Sequence, residues 1–215
     1  KIISLEKSAS EWCWPKSACT TKGTALALLA KNELRETTEN ITKISDWLKS
    51  KTKTTDELVW YLQITIDANE EASCNVLYDG ADHNVNVDAQ MKLNGNLGNC
   101  LELAANGYRL KVADSCLEKE YTISCNKGFK TNLLYEEKSG TGTLFVSSTT
   151  NGAAAQGQTK ENIKVKCFIE ADGKCNYESS LWGTTALENA NQDVSDYVPY
   201  LRALSDKNQQ LLPSA

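Results

Sequence analysis

Histidine, methionine and the CxxC motif are scarce or absent in this sequence, and their scarcity argues against metal chemistry. His83 is the only histidine and Met91 the only methionine among 215 residues. Zinc sites combine cysteine with histidine at paired short spacings, so a tetrahedral zinc site here would consist mostly of thiolates that lack this spacing. We therefore expect neither a metal ion nor another cofactor.

The sequence also lacks a positive net charge and long apolar runs. Its formal net charge of −5 argues against a nucleic-acid partner, because binding to the phosphate backbone depends on Lys and Arg. No run of about 18 apolar residues occurs, so we expect no direct insertion into a membrane. No signal peptide is visible, and the abrupt ends at Lys1 and Ala215 are consistent with a processed piece or a fragment of a longer protein.

Cysteine, by contrast, is abundant, and the even number of eight favours disulfides and an oxidising compartment. An intracellular protein of a hyperthermophile would be an exception to this rule. Short spacing suggests that Cys13 pairs with Cys19, and that Cys167 pairs with Cys175 around the turn at Asp172-Gly173. The other pairings stay open, because four cysteines alone allow three connectivities. The disulfide candidates are Cys13, Cys19, Cys74, Cys100, Cys116, Cys125, Cys167 and Cys175.

A two-residue alternation at residues 58–67 marks the start of a β region. Its apolar positions are Leu58, Trp60, Leu62, Ile64 and Ile66. Such a period of two is typical of a strand with one buried face. The region continues to about residue 169. Many short strands separated by turn residues predict a sandwich or a barrel.

Three further segments of the β region carry specific expectations. Residues 84–93 alternate so regularly that they predict one continuous strand. Residues 101–112 predict a hairpin with a type I′ turn at Asn106-Gly107. Residues 147–159 are rich in small residues and predict a loop.

Helical patterns precede and follow the β region. The first helix has Thr20 or Thr21 as N-cap, and its apolar face comprises Ala25, Leu26, Leu28, Leu29 and Leu34. A second helix is predicted over residues 38–51, and together they form an antiparallel hairpin. Later helices begin at a cap at Ser179 or Ser180 and at about residue 193. The last of these helices must place Pro199 in its first turn.

These patterns predict an α+β fold, in which a disulfide-stapled antiparallel β-sandwich is inserted between two helical hairpins. The expected domains are residues 1–55, an N-terminal loop and helical hairpin, residues 56–176, a cysteine-rich β-sandwich, and residues 177–215, a helical hairpin that packs with the first.

The two helical pieces echo each other. Residues 19–26 (CTTKGTAL), followed later by Asp46-Trp47-Leu48, match residues 180–187 (SLWGTTAL), followed later by Pro199-Tyr200-Leu201. This unit resembles the repeat of α/α-toroids, the superfamily of terpenoid cyclases, prenyltransferase β subunits and complement-like thioester domains. The resemblance implies a partial toroid, since only two hairpins are present.

The catalytic motifs of that superfamily do not carry over. No DxDD string occurs, and the only histidine, His83, lies in the β insert. Thr20-Thr21-Lys22 follows Cys19 where a thioester domain has Gly-Glu-Gln. The resemblance therefore implies a scaffold without catalysis in these residues.

A few residues are candidates for chemistry or recognition. His83 would need a nucleophile that the sequence does not locate, and Asp79, Asp82 and Asn84 lack the spacing of an EF-hand calcium site. We thus predict no catalytic and no metal residue. Asn40-Ile41-Thr42 is an acceptor sequon for glycosylation of Asn40.

Two tryptophans near the N-terminus admit two interpretations. Trp12 and Trp14, beside Cys13, indicate either a packed loop or an exposed aromatic contact for sugars.

The leading hypothesis from the sequence is a non-enzymatic extracellular or cell-surface protein with a role in adhesion, recognition or assembly. Its partner would be a protein or glycan at a cell surface, or a second copy of the chain. One alternative is a self-assembling filament or surface-layer subunit. Another is a secreted polysaccharide-active hydrolase or a degenerate toroid enzyme.

Overall fold

A computed structural model describes residues 12–15, 18–67, 70–139 and 142–211. It has an α+β fold with antiparallel sheets, and four disulfides join Cys13 to Cys19, Cys74 to Cys125, Cys100 to Cys116 and Cys167 to Cys175. The chain divides into two compact units. The helical unit comprises Lys1–Thr55 and Val165–Ala215, and the β unit comprises Asp56–Lys164.

In the described part of the chain, two α-helices precede the strands and two follow them. The α-helices are α1 (Thr21–Glu33), α2 (Thr38–Lys49), α3 (Tyr177–Asn189) and α4 (Val198–Ala203). Short 3₁₀ helices span Asp114–Cys116, Ser195–Tyr197 and Asp206–Leu211. The strands are β1 (Thr52–Lys53), β2 (Leu58–Ile66), β3 (Ala72–Tyr78), β4 (Ala81–Val87), β5 (Leu93–Gly95), β6 (Leu101–Leu103), β7 (Leu110–Val112), β8 (Glu120–Cys125), β9 (Phe129–Glu137), β10 (Phe145–Ala153), β11 (Gln158–Asn162) and β12 (Cys167–Phe168).

The boundaries between the units fall at Thr55/Asp56 and at Lys164/Val165. The second boundary expected near residue 176 is therefore wrong. Residues 165–175 belong to the helical unit, because β12 pairs with β1 and the Cys167–Cys175 loop precedes α3 directly. Cys167 and Cys175, which were assigned to the β insert, thus belong to the helical unit instead.

An apolar core holds the helical unit together. In α2, Ile41, Ile44 and Leu48 recur at helical spacing and are buried. Thr37 begins α2 by accepting a hydrogen bond from the Asn40 amide, and this cap costs about 1 kcal/mol when it is removed. The core also takes in Trp14, Ala25, Ala27, Leu28, Phe168, Ala186, Leu187, Ala190 and Tyr197.

The β unit contains two five-stranded antiparallel sheets. The first has the order β10-β9-β2-β7-β6 and the second β11-β8-β3-β4-β5. The alternating strand β2 is central in the first sheet, where it pairs with β9 over its whole length and with β7. All five apolar positions of β2 are buried, each contributing about 1.5–3 kcal/mol if fully desolvated.

Residues 84–93 do not form one strand, in contrast to the prediction. The chain turns between β4 and β5, which pair with each other. The Asp88 side chain accepts the amide N–H groups of Gln90 and Lys92, both within 2.9 Å, and Met91 has a φ of 63°. A side-chain acceptor that closes a turn overrides the strand periodicity here.

The loop predicted over residues 147–159 is also wrong, because most of it is strand. β10 continues through Asn151-Gly152 and pairs with β9, and β11 begins at Gln158. Cross-strand pairing stabilises a sequence that is poor in strand-forming residues. The hairpin at residues 101–112 does form between β6 and β7, but Gly107 alone has a positive φ. The two-residue type I′ turn is therefore incorrect, since such a turn requires positive φ at both central residues.

The C-terminal helices also differ in detail from the prediction. Asn176, not Ser179 or Ser180, caps α3. The segment after residue 193 forms a 3₁₀ turn, then α4, then a second 3₁₀ segment, in place of one helix. Pro199 lies in the first turn of α4, where its missing N–H removes no helical hydrogen bond.

Candidate functional site

A disulfide-closed loop covers the N-terminal end of α1. Cys13 and Cys19 close the loop, and Thr20 follows as N-cap, accepting the Gly23 N–H at 3.0 Å. The Thr20 N–H donates to the Trp14 carbonyl at 2.9 Å. The Trp14 N–H in turn donates to the Thr24 hydroxyl at 3.0 Å. The aromatic residue after the first cysteine is thus tied to both the cap and the first turn of the helix.

A second disulfide-closed loop covers the N-terminal end of α3 in the same way. Cys167 and Cys175 close the loop, and Asn176 follows as N-cap, accepting the Ser179 N–H at 2.9 Å. The Asn176 N–H donates to the Phe168 carbonyl at 2.9 Å. The Phe168 N–H donates to the Ser180 hydroxyl at 2.9 Å. Each of these three hydrogen bonds of the first loop has its counterpart in the second.

The C-terminal ends of the two helices match as well. Arg35 after α1 and Asn191 after α3 have positive φ values of 54° and 56°. In each case the next residue returns its N–H to a carbonyl of the last helical turn, Glu36 to Lys31 and Gln192 to Leu187. Both helices have 13 residues. The helical unit therefore contains a repeated capped helix, with the β unit inserted between its two copies.

The repeat has a different register from the echo seen in the sequence. The structure aligns Cys19 with Cys175 and Thr20 with Asn176, the same separation of 156 residues that relates Lys22 to Glu178. The sequence echo had aligned Cys19 with Ser180 instead. The shared Thr-Ala-Leu letters, residues 24–26 and 185–187, misled, because they occupy different turns of their helices.

The two capped helices lie parallel to each other. Lys22 in the first turn of α1 contacts Glu178 in the first turn of α3, Nζ to Oε1, at 2.5 Å. At the other end, Asn32 Nδ2 donates to the backbone carbonyl of Asn189 at 2.9 Å and to its side-chain oxygen at 2.8 Å. These exposed polar contacts contribute at most about 1 kcal/mol each, so they set the alignment more than the stability.

One face of α1 is exposed in the described part of the chain, although its counterpart on α3 is partly covered. Glu178 and Asn189, which bond to α1, lie on the same face of α3 as Trp182 and Ala186, and Ala186 is fully buried. The equivalent face of α1 carries the exposed strip, which we define as Leu26, Ala30 and Leu34.

Two leucines of the exposed strip were expected in the core. Leu26 is 39% exposed and Leu34 is 81% exposed. The helical period predicted an apolar face of α1 that is wider than the face that the core covers. The signal that would have identified them is the equivalent position of Cys19 and Cys175 directly before the two N-caps, which sets the register of the two helices.

The two tryptophans that the sequence suggested for surface contact differ in burial. Trp14 is only 1% exposed and belongs to the apolar core, so a surface role is wrong for Trp14. Trp12 is half-buried and packs against the same core, with Lys43 Nζ 5.1 Å from its ring centroid. The packed-loop interpretation accounts for both positions.

An open groove of about 320 Å³ lies beside the two caps. Its walls include Thr21, Trp47 and Glu170, and Lys51 Nζ stands 5.1 Å from the Trp47 ring centroid. The Ser179 hydroxyl donates to Glu170. An aromatic wall beside a cation is suited to binding rather than to acid–base catalysis.

His83 lies against an aromatic side chain. Its ring stacks on Tyr78 at 4.2 Å, and neither ring nitrogen has a hydrogen-bond partner within the described residues. The nearby acids bind elsewhere, since Asp79 pairs with Lys119 at 2.6 Å and Asp82 accepts from Asn75 at 2.5 Å. Across the described ranges no group of three or more His, Cys, Asp or Glu is placed to hold a metal ion.

The sequon residue Asn40 lies in the first turn of α2. It is half-buried, and its side-chain amide donates to Glu36 Oε1 at 3.2 Å. Glycosylation at Asn40 stays a prediction.

Within the described ranges, no helix combines the length and the apolar character needed to cross a membrane. Comparisons with protein-family models, with curated proteins and with solved structures find no match to this chain.

Proposed function

We propose that the chain is a non-enzymatic extracellular or cell-surface protein that acts by recognition and assembly, and that the exposed strip of α1 docks a further helix. Four disulfides support an oxidising environment, which is the condition under which such bonds persist. The observation that carries the proposal is the repeat. Ala186 is buried on α3, whereas the equivalent Ala30 of α1 is exposed together with Leu26 and Leu34.

We further propose how the two sheets pack and how the capped helices are arranged. The two sheets of the β unit form a sandwich, supported by contacts of Thr131 in β9 with Thr159 and Glu161 in β11 of the other sheet. The pair of parallel capped helices forms part of a toroid-like array. Repeat arrays expose one unpaired face at each end, and such faces need a partner or a polar cap.

Charge defines the helix that would dock. The exposed strip is flanked by Glu33 in the last turn of α1, whereas Lys22 in the first turn is already paired with Glu178. A parallel partner therefore carries a basic residue in its last turn, with small or aliphatic residues before it. A basic residue there also complements the macrodipole of the partner helix itself.

A second copy of this chain is a poor partner. Suppose that α3 of a second copy docked on the exposed strip in the same way as α1 packs on α3. Its Glu188 would then occupy the place that Asn32 has in the observed pair. Glu188 would then oppose Glu33, and like charges at a helix contact are unfavourable. The partner is therefore a helix of another protein, and self-assembly through this face is disfavoured.

Two synthetic helices test the proposal. The probe is a peptide of residues 166–192 with its disulfide closed and Glu188→Lys introduced, and the control is the unchanged peptide. In NMR titrations of the full chain we expect the Lys peptide to shift resonances of the exposed strip at lower concentration than the control. Leu26→Asp with Leu34→Asp abolishes this response, whereas Val146→Asp, a change at an exposed residue of the β unit, leaves it intact.

The contradicting results are equally specific. Equal binding of both peptides would show that the charge argument is wrong. No shift of the strip at millimolar peptide would exclude the strip as a docking surface.

A further inference from the structure

A buried polar cluster joins three strands of the β unit. Thr131 of β9 and Glu161 of β11 are 0% and 2% exposed. The Thr131 hydroxyl donates to Glu161 Oε1 at 2.5 Å and lies 3.0 Å from the Thr159 hydroxyl. Asn151 of β10 donates its side-chain amide to the same Glu161 oxygen at 2.9 Å. A hydroxyl, a carboxylate and a carboxamide therefore meet at one atom.

Burial of this carboxylate needs a reason. Removing a carboxylate from water is costly unless it is paired and hydrogen-bonded. Within the described residues, the hydrogen bonds that Glu161 receives come from a neutral hydroxyl and a neutral amide. A base held next to a nucleophile is the arrangement that activates a threonine hydroxyl.

The strand register places an electrophile beside that hydroxyl. Thr131 and Asn151 are directly opposite each other in the β9–β10 pair. Cβ atoms of opposite residues lie about 4.5–5.5 Å apart. The Thr131 oxygen is therefore within short reach of the side-chain carbonyl carbon of Asn151.

We propose that Thr131 and Asn151 condense to an intramolecular ester that covalently links β9 to β10. Glu161 removes the proton from Thr131 Oγ1, and this oxygen attacks Cγ of Asn151. The Cγ–Nδ2 bond breaks, and Glu161 returns the proton to the nitrogen, which leaves as ammonia. One hydroxyl and one carboxamide thus become one ester and one ammonia, with no oxidant or reductant. Because Glu161 Oε1 accepts from both groups, it is placed for both proton transfers.

Position and burial both favour the condensation. Effective molarities of well-oriented intramolecular groups reach about 10⁵–10⁸ M, and released ammonia is lost to the solvent. The buried site also limits access of the water that would hydrolyse the ester. The link would tie down β10, which lies at the edge of its sheet and pairs there with β9.

Mass spectrometry tests the proposal directly. After reduction of the disulfides, we expect the intact chain to be lighter than its sequence mass by one ammonia. Proteolysis should yield a branched peptide that contains both Thr131 and Asn151, and hydroxylamine, which cleaves esters, should separate its two arms. Thr131→Val and Glu161→Gln should each restore the full sequence mass.

The same two strands contain an internal control. Asn132 and Thr150 are also opposite each other, and the Asn132 amide donates to the Thr150 hydroxyl. No hydrogen bond from this pair to a carboxylate occurs in the described structure. We therefore expect fragmentation of the branched peptide to place the link between Thr131 and Asn151, and not between Asn132 and Thr150.

Three results would overturn the proposal. The first is a reduced wild-type chain with its full sequence mass. The second is a gain in mass from hydrolysis of Asn151 to aspartate. The third is a linked peptide that persists in Glu161→Gln. The branched peptide of the wild-type chain decides the question even where a variant fails to fold, because cyclisation of Asn151-Gly152 to a succinimide also releases one ammonia but leaves the chain unbranched.

Discussion

The equivalence of the two capped helices can be tested at one hydroxyl in each. Thr24 in α1 and Ser180 in α3 are fully buried, and they accept the backbone N–H groups of Trp14 and Phe168 at 3.0 Å and 2.9 Å. Thr24→Val and Ser180→Ala remove these acceptors. Both changes leave a backbone donor buried without a partner, because each aromatic residue is enclosed by the core.

The expected loss of stability follows from the hydrogen bond that each aromatic residue loses. The Trp14 carbonyl keeps the N–H of Thr20 and the Phe168 carbonyl keeps that of Asn176, so only the aromatic N–H is orphaned. An unsatisfied buried donor costs about 1–3 kcal/mol. We expect the two variants to lose similar stability within that range. Thr24→Ser keeps the hydroxyl and should lose less than either.

Hydrogen exchange with denaturant titration provides the assay. The chain contains two compact units, so one global unfolding free energy need not describe it, and the exchange of each aromatic amide reports on its own site. We expect the Trp14 amide to exchange faster in Thr24→Val, and the Phe168 amide to do so in Ser180→Ala. Losses below about 0.5 kcal/mol in both variants, the range of ordinary surface changes, would refute the reasoning. A loss in only one of them would refute the equivalence.

Two further predictions concern packing and pH. In Gly183→Ala the new Cβ would lie 2.8 Å from carbons of the buried Phe168 ring, so the overpacking cost of about 1–3 kcal/mol should outweigh a gain of about 1 kcal/mol in helix propensity. The thermal midpoint should therefore fall, whereas Gly152→Ala, whose Cβ finds only ordinary contacts, should leave it nearly unchanged. Burial and the hydrogen bond to Glu136 raise the pKa of Tyr61 to about 12, above its value of about 10 in the unfolded chain. Stability from this group is complete below pH ~10 and lost as pH rises through ~12, so Tyr61→Phe should flatten the alkaline decline and remove one late step from the tyrosinate absorbance titration.

Short-range sequence patterns predicted much of the fold correctly. The alternation from Leu58 to Ile66 is a property of a few neighbouring residues, and it forms a strand with one buried face as expected. The caps at Thr20 and Thr37 depend on a side chain and an N–H only three residues away. Such features are readable from sequence because the atoms that decide them are close in the chain.

Prediction failed where the presence or the absence of a contact with a distant segment overrode the local pattern. Asn151-Gly152 looks like a turn, yet pairing with β9 makes it strand. Leu34 continues the apolar period of α1, yet no part of the core reaches it, and it is 81% exposed. In each case the local preference is worth less than about 1 kcal/mol, and tertiary contacts exceed it easily.

The sequence was sufficient for the alternation of helical and β segments, the disulfide-rich character and the two short cysteine loops. The register that makes α1 and α3 copies of each other depends on residues 156 positions apart, such as Lys22 and Glu178. The meeting of Thr131, Asn151 and Glu161 depends on which strands pair and which sheets approach. These arrangements arise only when the whole chain is folded, because sequence period sets the face on which a side chain lies but not the neighbour it meets.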